Sequence, residues 1–470
     1  MKIGYIPTRR TVFSVSEAIR YKNEILSFLY TVSDAELVDI NDINEEGLLF
    51  DEKDLDPIIQ KMKDVDGLFF PHCNFGSEAL VAKVAKTLNK PVLIWGPRDD
   101  APLENGVRTR DTQCGLFATG KILRRFGVPF TYLTNTKYTD SYFIQGFNRW
   151  IQVCNVVKAA KNLRILQIAP RPESFWTMMV NEGELLEKFG VMITPVTLSE
   201  LSRKAKKVRE ERWKSFTEQI EYLKSKYNCD KVSESEIENI SALKIALQDL
   251  CKSFNCKAVA IQCWNALQDD IKIMPCLANG LLSDEGIPVT CETDIHGAIS
   301  SLLLQASSSN TNTVFFADLT VRHPENDNAE LLWHCGNFPP SLSRQCDNLA
   351  VDRHFIFDSH CAGTGEFELK RGEITICRFD GDNGKYSLLI GEGKGVDGPA
   401  TKGTYVWFEV KNWPAWEHKI VTGPYVHHCA GIYDSTAAVL MEACKYIPYL
   451  EPDLADSNEK EMQRIWITGE

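Results

Sequence analysis

"DGLFFPHCNFGSEALVAKVAKTLNKPVLIWGP", residues 66–97, is the stretch on which the fold class turns. "DGLFFPHC" and "PVLIWGP" are short apolar runs of strand length, and "SEALVAKVAKTLNK" between them has helical texture. The same alternation continues on both sides. Upstream, "KIGYIP" reads as a strand and "SEAIRYKNEILSFLY" as an amphipathic helix. Downstream, "CGLFATGKILRRFG" is a helix ending at Gly127, before the strand "PFTYL". Strands that alternate with helices imply a parallel sheet covered on both faces.

A long helix around "FIQGFNRWIQVCNVVKAAKN" then leads into a second unit of this kind, opening on "LRILQIAP". It holds a charged helical stretch (203–255) and the strands "AVAIQCW", "IPVTCE" and "TVFFADL". After about residue 330 helical periodicity gives way to Gly, Thr, Ser and aromatics, as in "GEFELKRGEITICRFDG" and "GTYVWFEV". Alternation with Gly-rich turns predicts antiparallel β structure. A last helix, "STAAVLMEACKYI", follows "GPYVHHCAGIYD". Three domains are expected: 1–160 and 161–332, both α/β, and a β-rich 333–470 with a terminal helix.

Composition narrows the function. The 470 residues are 44% hydrophobic and 25% charged, as in a soluble globular protein. A net charge of −12 argues against a general nucleic-acid binder, which needs clustered Lys and Arg. No run approaches the length of a membrane span, and "MKIGYIPTRR" opens as a strand, so a cytoplasmic protein is expected. The 15 cysteines include no C-x-x-C pair, which weakens a structural zinc site. Four His-Cys dipeptides cannot each chelate one metal if they lie on strands, because adjacent side chains point to opposite faces.

In open parallel sheets, ligands sit outside the carboxyl ends of the strands. That rule selects Glu292 after "IPVTC", Asp318 after "TVFFA" and Gln268 beyond "AVAIQCW". His334 interrupts a buried-looking run in "ELLWHCGN", and the pair His427-His428 follows "GPYV". Two carboxylates with one or two imidazoles suit Mn²⁺, Mg²⁺ or Co²⁺ better than zinc. Glu292 also lies in "CETDIHGAIS", beside Asp294 and His296, which read as groups that cap the next helix or position the glutamate.

The block "CWNALQDDIKIMPCLANGLLSDEGIPVTCETDIHGAISSLLLQ", then "FFADLT", "WHCGNFPPSL" and "GPYVHHCAGIYD", resembles the L-fucose isomerase and L-arabinose isomerase group. The motifs concentrate in residues 263–342 and 423–434. The resemblance implies two Rossmann-like, doubly wound α/β domains followed by a barrel-like antiparallel β domain. It also implies aldose–ketose isomerisation through a cis-enediol, with a divalent metal, most often Mn²⁺. Carried over by motif, Glu292 and Asp318 become acidic ligands and the acid/base pair. His428 matches the histidine ligand, with His427 as the alternative, and His334 falls where arabinose-type enzymes have a further histidine. Gln268, Trp264, Trp95, Arg9, Arg10 and His296 are the candidate sugar contacts, the arginines facing any anionic end such as a sulfonate. A homo-oligomer, a hexamer or related assembly with active sites near subunit interfaces, is expected, with a small-molecule sugar as partner and neither nucleic acid nor membrane. The substrate expected is a hexose, 6-deoxyhexose or pentose, or a 6-modified hexose such as sulfoquinovose. Two rival classes are a non-catalytic sugar-binding protein of the same layers and a zinc hydrolase using the His-Cys residues.

Overall fold

The structure is a computed structural model describing all residues except 162, 310, 346–348, 357–359, 456–458 and 470. It divides into two compact units. The first comprises Met1–Lys158, joined by Met441–Ile447 and by the closing helix Glu459–Thr468. The second comprises Ala159–Leu440 with a short return beginning at Pro448.

Five strands form the first unit's sheet: β1 (Lys2–Tyr5), β2 (Glu36–Val38), β3 (Gly67–Pro71), β4 (Val92–Trp95) and β5 (Thr131–Tyr132). All pairings are parallel, in the order β2-β1-β3-β4-β5. The decisive stretch folds as read. β3 and β4 are buried along their whole length, and the helix Glu78–Leu88 between them buries Leu80, Val81 and Val84. That helix stops at Asn89, whose left-handed backbone (φ 47°) returns its N–H to the Ala85 carbonyl.

The second unit starts with another parallel sheet, ordered β10-β9-β6-β7. Its strands are β6 (Arg164–Ile168), β7 (Met192–Val196), β9 (Ala258–Ile261) and β10 (Val289–Thr290); β8 (Tyr227–Asn228) lies elsewhere. The charged stretch 203–255 is three helices, Leu198–Glu211, Lys214–Lys226 and Glu234–Ser253. Arg212, left-handed at φ 44°, ends the first, and a Ser233/Glu236 capping box opens the third.

The remaining strands are β11 (Val314–Arg322), β12 (Ala329–His334), β13 (Leu349–Arg353), β14 (Ala362–Glu368), β15 (Gly372–Asp382), β16 (Lys385–Val396), β17 (Thr404–Glu409), β18 (His428–Ile432) and β19 (Leu450–Leu454). Six of them close a ring, β11-β12-β17-β16-β15-β18, with every neighbour antiparallel. The chain is therefore a mixed α/β protein with parallel sheets and a closed C-terminal antiparallel barrel. β14, β13 and β8 extend one side, and β19 pairs with β16.

Two expectations are corrected. "TVFFADL" is β11 of the barrel, not a strand of the second parallel sheet. A short apolar, aromatic run reads alike in both settings, because each buries both faces. Nor is "STAAVLMEACKYI" the last helix: Glu459–Thr468 follows it. The parallel sheet and the barrel share one core, in which Leu166 and Ile261 belong to the same cluster as Phe315, Val406 and Trp416.

Candidate active site and metal centre

The site is built where β10 runs out beside the barrel wall. After Thr290 the chain turns through Glu292 (φ 52°) and Thr293 (φ 58°), two consecutive non-glycine residues in the left-handed region. Such backbone is strained, and for a β-branched residue it is a marked outlier. It swings Glu292 out of the strand line. Asp294 then caps the helix Ile295–Ser307, accepting from the Gly297 N–H at 2.8 Å.

Glu292 is held by one oxygen only. Its Oε1 accepts from the Cys263 thiol at 3.2 Å and the Trp264 indole N–H at 3.1 Å. Its Oε2 is buried, accepts no hydrogen bond among the described residues, and stands 3.6 Å from His428 Nε2. Asp318 reaches the same nitrogen from β11, with Oδ1 at 3.4 Å and likewise without a hydrogen bond. Asp318 and His428 are directly opposed residues of the antiparallel β11–β18 ladder, so the register itself brings them together.

The other ring nitrogen of His428 is fixed. Nδ1 lies 2.8 Å from Asp294 Oδ2, an arrangement in which Nδ1–H donates and Nε2 keeps its lone pair for the carboxylates' side. Asp294 also pairs with Arg378, which in turn holds Asp380 at 2.8 Å. Burial alone would raise the Asp294 carboxyl; Arg378 and His428 more than offset that and hold it well below the usual carboxylate range. For Asp318, burial outweighs the attraction of His428, and the charges of Glu292 and Asp294 add to it, so its pKa rises to about 7. Burial likewise raises Glu292 against the pull of His428.

Two buried carboxylate oxygens without hydrogen bonds, each within 3.6 Å of one imidazole nitrogen, fit a divalent cation. Buried polar groups normally find partners, so these orphaned atoms call for one. Each oxygen lies 3.4–3.6 Å from His428 Nε2, a separation two donors take when both sit about 2.0–2.2 Å from one ion. Asp318, His427 and His428 form a group whose donor atoms all lie within 4.8 Å of one another, while Glu292 falls in a neighbouring group with Cys263 and Cys291. His427, however, is exposed and precedes β18, whereas His428 points inward. His334 belongs to neither potential metal group found among the described residues. It is buried, its Nδ1 accepts from the Cys335 N–H at 2.9 Å, and burial first, then His428 and His427, push its pKa down to about 3.

The other sequence candidates divide. Trp264 belongs to the site, as a donor to Glu292, with its ring edge-on to Phe175 at 5.0 Å. Gln268 braces the loop below, donating to the Cys263 carbonyl at 2.7 Å. His296 turns to Asp380 (3.0 Å) and packs against Phe379 and Tyr386. In the first unit, Trp95 is 0% exposed and tilted against Phe143 at 4.1 Å, with its indole N–H on the Thr134 carbonyl. Arg9 is paired with Glu46 and stacked on Phe50; Arg10 is paired with Glu78 and stacked on Phe75. Each arginine is thus neutralised within its own unit.

Sequence reading missed Arg378, Asp380 and Cys263. The first two had a signal: charges two apart in the apolar strand "ITICRFDG" must share one face. Cys263 had none, since one cysteine among fifteen carries no pattern.

Comparisons with known proteins point to a family. Residues 4–161 match the family model "Fucose/sulfoquinovose isomerase, N-terminal domain", and residues 332–450 match "L-fucose isomerase, C-terminal domain". The sulfoquinovose isomerase of Alkalicoccus urumqiensis is 26% identical over 402 residues, 85% of this chain and 86% of that protein. That of Priestia aryabhattai is 25% identical over 443 residues, covering 93% of this chain and 96% of its own length. A third, from a Clostridium strain, is 24% identical over 71% of this chain and 73% of its own. No helix among the described residues is long and apolar enough to cross a membrane.

Proposed function

We propose, from the premise that this chain belongs to the L-fucose isomerase-like family and is a sugar isomerase of the aldose–ketose type, that it works with a divalent cation, Mn²⁺ first, held by Glu292, Asp318 and His428. The observation that carries the proposal is the pair of buried oxygens, Glu292 Oε2 and Asp318 Oδ1, at 3.6 and 3.4 Å from His428 Nε2. A cation bound there supplies Lewis-acid stabilisation of the charge that develops on the two sugar oxygens.

The chain's own residues do the rest. Isomerisation takes a proton from C2 of the aldose and returns one to C1, while another moves between O1 and O2. Glu292 and Asp318 are the acid/base pair for these transfers. Cys263 and Trp264 occupy Glu292 Oε1, which turns Oε2 toward the reaction. Asp294 keeps the His428 proton on Nδ1, and Arg378 balances the charge of Asp294. The strained turn at Glu292–Thr293 sets the glutamate's direction.

The substrate proposed first is a six-carbon aldose with a sulfonate at C6, the sugar named by the three relatives above. One observation favours an uncharged sugar instead: Arg9 and Arg10 already have carboxylate partners. A homo-oligomer, a hexamer by family resemblance, is proposed as the working form; an active monomer in light scattering would count against it.

The deciding experiment is a panel of sulfoquinovose, L-fucose, L-arabinose and D-arabinose, with chelated and Mn²⁺-restored protein. Turnover that vanishes on chelation, returns with Mn²⁺, and drops about 10²–10⁴-fold in Glu292→Gln and Asp318→Asn supports the proposal. Sugar binding without turnover of any aldose would favour the non-catalytic binder.

A further inference from the structure

Glu292 faces two different donor sets with its two oxygens. Oε2 looks to the oxygen and nitrogen donors Asp318 and His428, whereas Oε1 looks to sulfur. Behind it, Cys263 and Cys291 are both buried, and their two Sγ atoms and a Glu292 oxygen all lie within 4.8 Å of one another. The Cys263 side chain belongs to the residue after "AIQ", beyond β9, and Cys291 follows β10, so the two parallel neighbouring strands present the thiols together. Donors bound about 2.3 Å (sulfur) and 2.1 Å (oxygen) from one tetrahedral ion stand roughly 3.5–3.9 Å apart, which this cluster can meet by small side-chain shifts.

A second observation points to a ligand here. Asn279 and Asn337 both aim side-chain amides at Cys291 Sγ, with Nδ2 at 3.8 and 3.5 Å. Their Oδ1 atoms are buried and accept no hydrogen bond among the described residues, although Asn279 is 0% and Asn337 3% exposed. A half-turn of either amide would offer its oxygen to a cation beside Cys291. Uncoordinated, these two carbonyl groups are a cost with no return.

We infer that Cys263, Cys291 and Glu292 form a second cation site, selective for soft, thiophilic ions such as Zn²⁺ and Cd²⁺, with Glu292 as the bridge to the harder site of Asp318 and His428. Sulfur donors choose soft ions, while the oxygen-rich site on the other side of the same carboxylate accepts Mn²⁺. Binding exchanges two thiol protons for one divalent ion, the protons passing to solvent. The consequence for the enzyme is inhibition by thiophilic metals, because an ion on Oε1 replaces the Cys263 and Trp264 bonds that aim Oε2. The inference stands on the donor geometry and holds whichever sugar is the substrate.

The test is ¹¹³Cd NMR of the full chain first loaded with Mn²⁺-free buffer and then titrated with Cd²⁺. Two resonances are expected, one in the range of two-thiolate coordination and one in the oxygen/nitrogen range. Cys291→Ser and Cys263→Ser should each lose the thiolate resonance and keep the other, while Cys276→Ser, a buried thiol outside the set, should keep both. Circular dichroism checks that each variant is folded, and the wild-type spectrum decides even if one is not. Absence of a thiolate resonance in the wild type, or its survival in folded Cys291→Ser, overturns the inference. Because the readout needs no turnover, its failure is distinct from a failure of the proposed activity.

Discussion

At the scale of single residues, the side chain that organises the site is one that carries no proton in the reaction. Asp294 caps the helix, accepts a hydrogen bond from His428 Nδ1–H and balances a buried guanidinium with one carboxyl group. Asp294→Asn keeps the shape but removes the charge. The amide can present either N–H or C=O to His428, so the imidazole loses its enforced tautomer. A group holding a metal-binding histidine typically contributes about 10–100-fold to metal affinity or activity. The expected result is Mn²⁺ binding weakened by that factor in equilibrium dialysis, with sugar selectivity unchanged. Unaltered Mn²⁺ affinity would mean that Asp294 only caps. Sequence showed Asp294 as a helix-capping or positioning group, since an aspartate three residues before a small residue at a helix start is a recognisable cap. It did not show Arg378, 84 positions away, because a contact of that span depends on barrel closure.

Elements explain why Asp318 was found for a reason the structure revises. It was selected as a strand-end carboxylate of a parallel sheet; it is a mid-strand residue of an antiparallel barrel, cross-paired with His428. The aromatic run "VFFA" carries burial but not strand direction, and direction decides the neighbour. The helix Ile295–Ser307 lies against this strand with no room at its first turn. A Cβ on Gly297 would sit 2.5 Å from the Phe316 ring and 2.7 Å from Asp294 Oδ2. Gly297→Ala must therefore displace the helix start from β11 and move the cap with it. Overpacking of this kind costs about 1–3 kcal/mol, read as a lower urea midpoint, and Mn²⁺ affinity should fall in the same variant. A stable Gly297→Ala with normal Mn²⁺ binding would show that the cap moves independently.

β12 offers a pH test within the barrel. Glu330 is buried, its Oε2 accepts no hydrogen bond among the described residues, and burial, against the pull of Arg322, lifts its pKa to about 7. Glu417 adds to the rise. The unfolded carboxyl titrates near about 4.3, so the folded state holds the proton more tightly. Its contribution to stability is complete below the unfolded value and is lost as pH rises through about 7. Glu330→Gln keeps a neutral group of the same shape. It should be more stable than wild type at pH 8 in urea unfolding, with the advantage shrinking toward pH 4. An advantage independent of pH would trace to packing rather than to the proton.

For the molecule as a whole, the three proposed ligands come from distant points of the chain but from one compact unit. Glu292 leaves the parallel sheet, while Asp318 and His428 belong to the barrel, and all lie within Ala159–Leu440. A cation there ties the sheet to the barrel across the helix Ile295–Ser307. A ligand at 100 times its dissociation constant stabilises the state it binds by about 2.7 kcal/mol. That stabilisation belongs to openings that separate the ligands and not to openings elsewhere. Hydrogen exchange followed by peptide mapping distinguishes the two. Added Mn²⁺ should slow exchange in peptides carrying Cys291–Gly297, Val314–Leu319 and the start of β18, and chelation should reverse it. Peptides of β1, β3 and β4 hold none of the three ligands and should exchange at the same rate with or without the ion. Protection spread evenly over both units would mean that the cation acts on global unfolding alone. Protection confined to the first unit would place the cation site away from Glu292, Asp318 and His428.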